Sequence, residues 1–233
     1  MSEKLLARAR ELGATFVGVA DLTPALEEVR CQGGSLISNY QRAVSVGIAL
    51  PSAIIDYLES QHDPMVMLNY RHHGYDVINA RLDNLVSVLA GMIQAEGYRA
   101  LPVAASQTLA QDKHLGLFSH KLAAHLAGLG WIGRSCLLVT PQVGPRARWA
   151  TVLTDAPLDP TGTSIEQKCK DCRLCVDICP SKAFSGRPFV PSEPRKLRFD
   201  TAKCKAHQVR MKGEVGVGLC GLCLYVCPYG RSR

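Results

Sequence analysis

No stretch of this 233-residue chain approaches the roughly 18 consecutive apolar residues of a membrane-spanning helix. The N-terminus, Met1-Ser-Glu-Lys-Leu-Leu-Ala-Arg-Ala-Arg-Glu11, has neither a hydrophobic signal core nor a twin-arginine pair. That pattern leaves no membrane anchor and predicts a cytoplasmic protein. Low-complexity tracts are missing as well. The glycine-dense stretch Gly128 to Gly133 is not followed by Lys-Ser/Thr, and its spacing differs from a dinucleotide fingerprint, so neither a phosphate loop nor a dinucleotide fold is indicated. No diagnostic flavin motif is visible. Basic residues outnumber acidic ones, 27 to 20, for a net charge of +7, but they are dispersed. The densest patch is Arg195-Lys196-Leu197-Arg198. Dispersal weighs against nucleic acid as a partner and leaves an acidic redox protein or a phosphate-bearing ligand equally compatible.

What the chain does have is cysteine, ten in all. Four lie in Cys169-Lys-Asp-Cys172-Arg-Leu-Cys175-Val-Asp-Ile-Cys179-Pro180, the bacterial ferredoxin run for 4Fe–4S clusters. Two intervening residues let a tight turn aim successive thiolates at neighbouring irons of one cubane. The fourth cysteine leaves in another direction and serves a second cluster, while the proline stops helical continuation. A second half-motif follows at Cys220-Gly-Leu-Cys223-Leu-Tyr-Val-Cys227-Pro228, with Cys204 upstream. This logic assigns Cys169, Cys172, Cys175 and Cys227 to one cluster, and Cys179, Cys204, Cys220 and Cys223 to the other. Zinc is the competing reading, since Cys-x-x-Cys pairs also build zinc ribbons, but zinc does not account for two Cys-x-x-x-Cys-Pro endings. The pattern points to a reducing compartment rather than a disulfide scaffold. Cys31 and Cys136 fall outside it and are expected to be ordinary buried thiols.

Periodicity predicts a helix over 2–12, strands over 15–20 and 43–50, and a long helix from about Asn69 to Gly97. A strand over 98–103, a helix over 120–127, and a β pair formed by 136–140 and 149–154 complete the set. Helices and strands mix without a regular βαβ beat, so the fold class is α+β. The turn-rich Ala156-Pro-Leu-Asp-Pro-Thr-Gly162 suggests a division into residues 1–157, with a core of their own, and residues 158–233, held together largely by the clusters.

Gly128-Leu-Gly-Trp-Ile-Gly-Arg-Ser-Cys-Leu-Leu-Val139, followed by Leu153-Thr-Asp-Ala-Pro-Leu158 and the split eight-cysteine pattern, resembles the epoxyqueuosine reductase-like proteins. Reductive dehalogenases share that architecture. The resemblance runs from about Gly97 to the C-terminus and more faintly before it. It implies a nitroreductase-like cobalamin-binding domain followed by a double 4Fe–4S ferredoxin-like domain, with two clusters delivering electrons to cobalt. It further implies a ferredoxin- or flavodoxin-type electron donor; oligomeric state is left open, a homodimer included. Family members place a proton-donating aspartate upstream of the glycine loop, where this chain has Pro102-Val-Ala-Ala-Ser-Gln107, without an acid. The helical-repeat extension and twin-arginine leader of some relatives are also not seen. These departures point away from queuosine reduction itself and leave two functions side by side. One is a cobalamin-dependent reductase of unassigned substrate; the other is an electron-transfer or corrinoid-reactivating protein without a substrate of its own. A flavin in place of cobalamin is a third.

The resemblance nominates Tyr70 and Tyr75, flanking a His-His-Gly bend, as proton donors, and a phenol suits that role if its pKa is lowered. His120, Lys121, Gly130, Trp131, Gly133, Arg134 and Ser135 are the candidate cofactor-binding residues. Five histidines, His72, His73, His114, His120 and His125, crowd one region as candidate cobalt ligands, each balanced by the reading of a surface or hydrogen-bonding histidine.

Overall fold

The computed structural model describes residues 1–106 and 116–231. Helices and strands are mixed, in agreement with the α+β expectation. Contacts divide the chain into two compact units. One comprises Met1–Ala49, Asn79–Gly130 and Arg148–Ile165; the other comprises Leu50–Ile78, Trp131–Ala147 and Glu166–Arg233.

The first unit is built on a four-stranded sheet. Its strands are β1 (Phe16–Asp21), β2 (Arg42–Ala49), β3 (Ala100–Val103) and a later one, β6 (Ala147–Thr154), in the order β1-β2-β6-β3. β1 and β2 run antiparallel from Phe16 opposite Gly47 to Asp21 opposite Arg42, where a 2.8 Å ion pair closes the strand ends. β3 and β6 are also antiparallel, Ala100 facing Thr154. β1, β2 and the last six residues of β6 are buried along their length, which is why they read as nearly continuous apolar stretches, whereas β3 keeps Pro102 exposed. Helices α1 (Ser2–Glu11), α2 (Leu26–Gly33), α5 (Ile78–Ala95) and α6 (His120–Leu126) supply the covering layers. Leu22, Val29, Ile37, Tyr40, Phe118, Ala123 and Leu153 meet in one apolar cluster.

Trp149 decides how β1, β2 and β6 pack. Its indole stacks on Phe16 with ring centroids 5.5 Å apart and lies over Gly47, where an added Cβ would fall 2.6 Å from the ring. Glycine is required there by the volume of the indole, since the backbone is ordinary strand.

The second unit contains α3 (Ser52–Asp56), α4 (Pro64–Arg71), a two-stranded sheet of β4 (Trp131–Ile132) and β5 (Leu138–Val139), and the cysteine-bearing segment. That segment carries α7 (Leu174–Asp177), α8 (Thr201–Val215) and α9 (Leu222–Tyr225). α8 starts at an Asp200 N-cap, whose carboxylate accepts from the Lys203 N–H at 3.0 Å, and stops at the left-handed Gly216.

Three sequence expectations are corrected. Residues 136–140 do not pair with 149–154. Leu138–Val139 pairs instead with Trp131–Ile132 through a tight turn closed by Gly133 N–H to Leu137 carbonyl at 2.9 Å, while Ala147–Thr154 joins the large sheet. Both short strands are apolar and only five residues apart, so the local hairpin forms at little entropic cost. The single helix expected over 69–97 is α4 and α5 with a π-helical turn at His72–Val77 between them. Cys31 is exposed rather than buried; Cys136 is buried as expected.

Replacing Gly47 by Ala should destabilise the first unit by about 1–3 kcal/mol through overpacking against Trp149. Denaturation followed by indole fluorescence measures this; an unchanged midpoint would show that Trp149 is free to move aside.

Candidate iron–sulfur and cofactor site

The cysteine-bearing segment folds as a series of tight turns. The Cys172 N–H donates to the Cys169 carbonyl at 2.8 Å, and Lys170 between them takes positive φ (44°), so both thiols are turned to one side of the loop. After Cys179 the chain turns again through Lys182 at φ 49°, and the Ala183 N–H points at the Cys179 sulfur from 3.4 Å. Backbone N–H groups aimed at sulfur stabilise thiolate and cluster alike. At the far motif Gly221 holds φ 88°, with Leu58 and Tyr70 packed where a Cβ would stand, 2.6 and 3.0 Å away. Glycine is needed at that corner for both reasons.

Burial first, and neighbouring thiols second, make several of the cysteines hard to ionise. Cys175 is pushed up to about 11 by burial and by Cys169, Cys227 and Cys172. Cys227 rises to about 11 through burial, with Cys169 and Cys172 adding to it. Cys220 rises to about 11 through burial and through Cys204 and Cys179; Cys223 is raised further, by burial first and then chiefly by Cys220 and Cys204. Cys204 is raised by burial and by Cys179. Cys223 also feels Cys175, more strongly than Cys179. So many thiolates in so small a volume need cationic metal to ionise together, and an all-sulfur donor set suits iron clusters.

The glycine loop meets this segment. A Cβ on Gly133 would lie 3.5 Å from the Cys169 sulfur and 2.9 Å from Val139. Arg134 donates to the carbonyls of Gly186 and Lys170, stapling two cluster-loop backbones together. Ser135 and Trp131 are buried; the Trp131 ring stands edge-on to Tyr229 at 4.8 Å, and its indole N–H has no hydrogen-bond partner. Such a buried orphan donor is a feature that a bound polar group would satisfy.

Tyr70 is 1% exposed, and its ring fills the space against Gly74 and Gly221. Tyr75, on the π-helical turn, is half-buried and edge-on to Tyr70 at 5.4 Å. The turn puts Tyr75 and Tyr70 in ring contact five residues apart, a spacing an uninterrupted α-helix would turn apart; π-turns of this kind cluster at functional sites.

His120, Lys121, His125 and Gly130 lie in the first unit. His120 begins α6 with both ring nitrogens engaged, Nδ1 with the Thr151 hydroxyl at 2.9 Å and Nε2 with the Ala104 carbonyl at 3.1 Å. The tautomer that fits has Nε2–H donating to the carbonyl and Nδ1 accepting from Thr151. Burial drives its pKa down to about 4 against the pull of the Ala104 carbonyl, and Arg148 adds to the depression. Asp83 accepts the Ala105 N–H at 2.8 Å and lies close enough to act on His120. Lys121 is half-buried on the same helix, and Gly130 offers its carbonyl to His125 Nδ1 at 3.1 Å. His72 and His73 are exposed, rings edge-on at 4.7 Å; His114 lies outside the described residues.

Sequence reasoning passed over Arg146 and Asp83. Arg146 follows the Gly144-Pro145 turn, which marks a loop and a surface side chain by ordinary reading, yet its side chain is 3% exposed. Asp83 sits in the middle of α5, where a polar residue is unremarked unless the partner loop is known.

Residues 168–230 match the 4Fe-4S double cluster binding domain, so the cysteine-bearing segment is an iron–sulfur domain. The chain is similar to the epoxyqueuosine reductase of Bacillus anthracis, 29% identical over 127 residues, which cover 50% of this chain and 31% of that protein. It spans about a third of the length of the curated relatives of this kind. In fold it is similar to a reductive dehalogenase whose structure suggests a mechanism for B12-dependent dehalogenation, with TM-score 0.69, 21% identity, and coverage of 99% of this chain and 32% of that one. It is similar too to an epoxyqueuosine reductase solved with an epoxyqueuosine-modified tRNA-Tyr stem loop, with TM-score 0.61, 17% identity, and coverage of 98% and 64%. Among the described residues no helix is long and apolar enough to cross a membrane.

His120 carries a pH consequence. Its folded pKa, about 4, lies below the ordinary 6.5, so below 6.5 the unfolded chain takes up a proton that the native ring refuses. Stability is therefore lost as pH falls from about 6.5 towards about 4. His120→Gln should flatten that loss in anaerobic denaturation at stepped pH; an unaltered slope would show that the ring titrates normally.

Proposed function

We propose that this chain is an iron–sulfur reductase that takes single electrons from a ferredoxin- or flavodoxin-type donor and passes them through two 4Fe–4S clusters to a bound cobalamin. The observation that carries this reading is that residues 168–230, which hold eight of the ten cysteines, match the 4Fe-4S double cluster binding domain. Cys169, Cys172, Cys175 and Cys227 hold one cluster, and Cys179, Cys204, Cys220 and Cys223 hold the other. Cobalamin is supported by the B12-dependent relative of the same fold and by the unpartnered indole N–H of Trp131. Cobalamin, when bound, supplies a cobalt centre that accepts low-potential electrons and reduces an organic substrate.

This chain's own residues do the rest. The nitroreductase-like part, residues 1–157, supplies Lys121 and Gly130 to the cofactor, with His120 in its neutral form holding the Ala104 loop by its hydrogen bond. Trp131 and Ser135 give it a buried donor and a hydroxyl. Gly133 leaves room for the close approach of the Cys169 sulfur, and Arg134 holds the loop backbone by its two carbonyl contacts. Tyr75, the more exposed of the tyrosine pair, delivers a proton to the reduced product, with Tyr70 fixing its ring from behind. Residues 158–233 form the ferredoxin-like part, and the protein works in the cytoplasm.

A second reading is favoured by one observation. Pro102–Ser106, where relatives keep an acid, has none, and the Ala105 N–H is instead capped by Asp83. On that reading the chain delivers electrons to a corrinoid on another protein and turns over no small molecule.

Anaerobically purified protein should contain about eight iron per chain and retain one cobalamin through gel filtration. Cys172→Ser and Cys227→Ser should each halve the iron to about four, and so should Cys179→Ser and Cys220→Ser, while Cys172→Ser combined with Cys220→Ser should lose nearly all of it. A combination of Cys172→Ser with Cys227→Ser that also loses all eight would overturn the assignment of ligands to clusters. Full iron with no retained cobalamin would transfer the conclusion to the electron-delivery reading.

A further inference from the structure

Arg146 is among the few charged side chains fully inside the described structure. Its Nη1 donates to Asp56 at 2.6 Å and its Nη2 to the Tyr225 carbonyl at 3.3 Å, while its Nε has no hydrogen-bond partner. The backbone of Gly230 presses against the guanidinium so closely that a Cβ there would lie 2.6 Å from Nε. Tyr225 and Gly230 bracket Cys227, and the Gly230 N–H donates to the Cys227 carbonyl at 3.1 Å. The Arg146 carbonyl accepts from Leu50 N–H at 2.9 Å, fixing its backbone as well.

A buried guanidinium is costly unless its charge is met by an anion. Asp56 meets it in part only, because the carboxylate side chain is 56% exposed and screened by water, whereas that of Arg146 is 3% exposed. The incompletely matched charge is held at the corner that carries Cys227, between the Tyr225 carbonyl and the Gly230 backbone.

We propose that Arg146 is a positioning residue that clamps the Cys227 corner and raises the reduction potential of the cluster held by Cys169, Cys172, Cys175 and Cys227. Reduction of a cubane adds one electron and breaks no bond, so the reduced form carries one more negative charge. A fixed cation in a poorly hydrated site stabilises that form. The consequence is a bias of electrons towards this cluster. The inference rests on the cluster assignment above.

The test uses anaerobic protein with its iron intact, redox-titrated and followed by electron paramagnetic resonance. A Cys204→Ser variant, retaining only the Arg146-side cluster, identifies the signal. Arg146→Met should lower that cluster's potential enough to change its reduced fraction about tenfold at a fixed ambient potential, about 59 mV for one electron. Asp56→Asn, which removes the compensating anion, should move it the other way by a smaller factor. Arg146→Lys keeps the charge and loses the fork, so it should leave the potential within about twofold while lowering thermal stability. The second cluster should stay put throughout. Equal shifts in the Met and Lys variants, or a shift of the same sign in Asp56→Asn and Arg146→Met, would reduce Arg146 to packing and overturn the proposal. Should Arg146→Met fail to hold iron, the Lys and Asp56→Asn pair decides by itself. A wild-type protein without eight iron would instead remove the cluster reading on which the proposal stands.

Discussion

Burial of cysteine thiols in one small volume is the constraint on which the second unit depends. Eight cysteine sulfurs are gathered where burial and neighbouring thiols push several of them to about 11 or beyond. As free thiolates they would drive the loops apart; around iron their charge is neutralised and the same closeness becomes binding energy. Segments with little regular structure of their own, such as residues 180–194, are sustainable because the cluster ligands flank them in sequence. α7 and α9 are single helical turns, too short to be stable by themselves, and each carries cluster cysteines.

Around that constraint the chain places two arginines with different tasks. Arg134 spends its donors on the carbonyls of Lys170 and Gly186, so its charge is directed at backbone dipoles and its effect is to fix loop geometry. Arg146 is held by an aspartate that water partly screens, and keeps an unmatched share of its charge beside Cys227. The first unit solves a different problem. Its strands β1, β2 and β6 are largely buried, and one indole over one glycine keys these three together. Polar groups inside it are few and mostly paired, as with Thr154, whose hydroxyl donates to the Arg99 carbonyl at 2.7 Å.

Local and non-local signals fared differently in the sequence. The helix ending at Gly13 and the strands near residues 16–21 and 42–49 were visible because apolar periodicity is a property of neighbouring residues. The π-turn at His72–Val77 was not, since one extra residue in a helical turn leaves the apolar stripe almost unaltered. The pairing of Leu138–Val139 went to the wrong partner because several short apolar runs are interchangeable by propensity, and only chain geometry selects among them. Tyr70 was nominated for chemistry by its place beside a glycine bend; its ring is in fact walled in by Gly74 and Gly221, the latter some 150 residues away in sequence.

What the sequence by itself determined is the chemistry of the metal centres. Cysteine spacing is a covalent property: two residues between thiols set their reach, and a proline ends the turn, so the double-cluster domain over 168–230 was legible before any coordinates. What only the tertiary structure decided is the electrostatic setting of those centres. Whether an arginine lies in water or in the interior depends on segments that are distant along the chain. Asp56, Arg146 and Tyr225 are brought within hydrogen-bonding reach of one another by packing alone. A charge is worth little at the surface and a great deal in a dry interior, and burial is a property of the fold that no local pattern encodes.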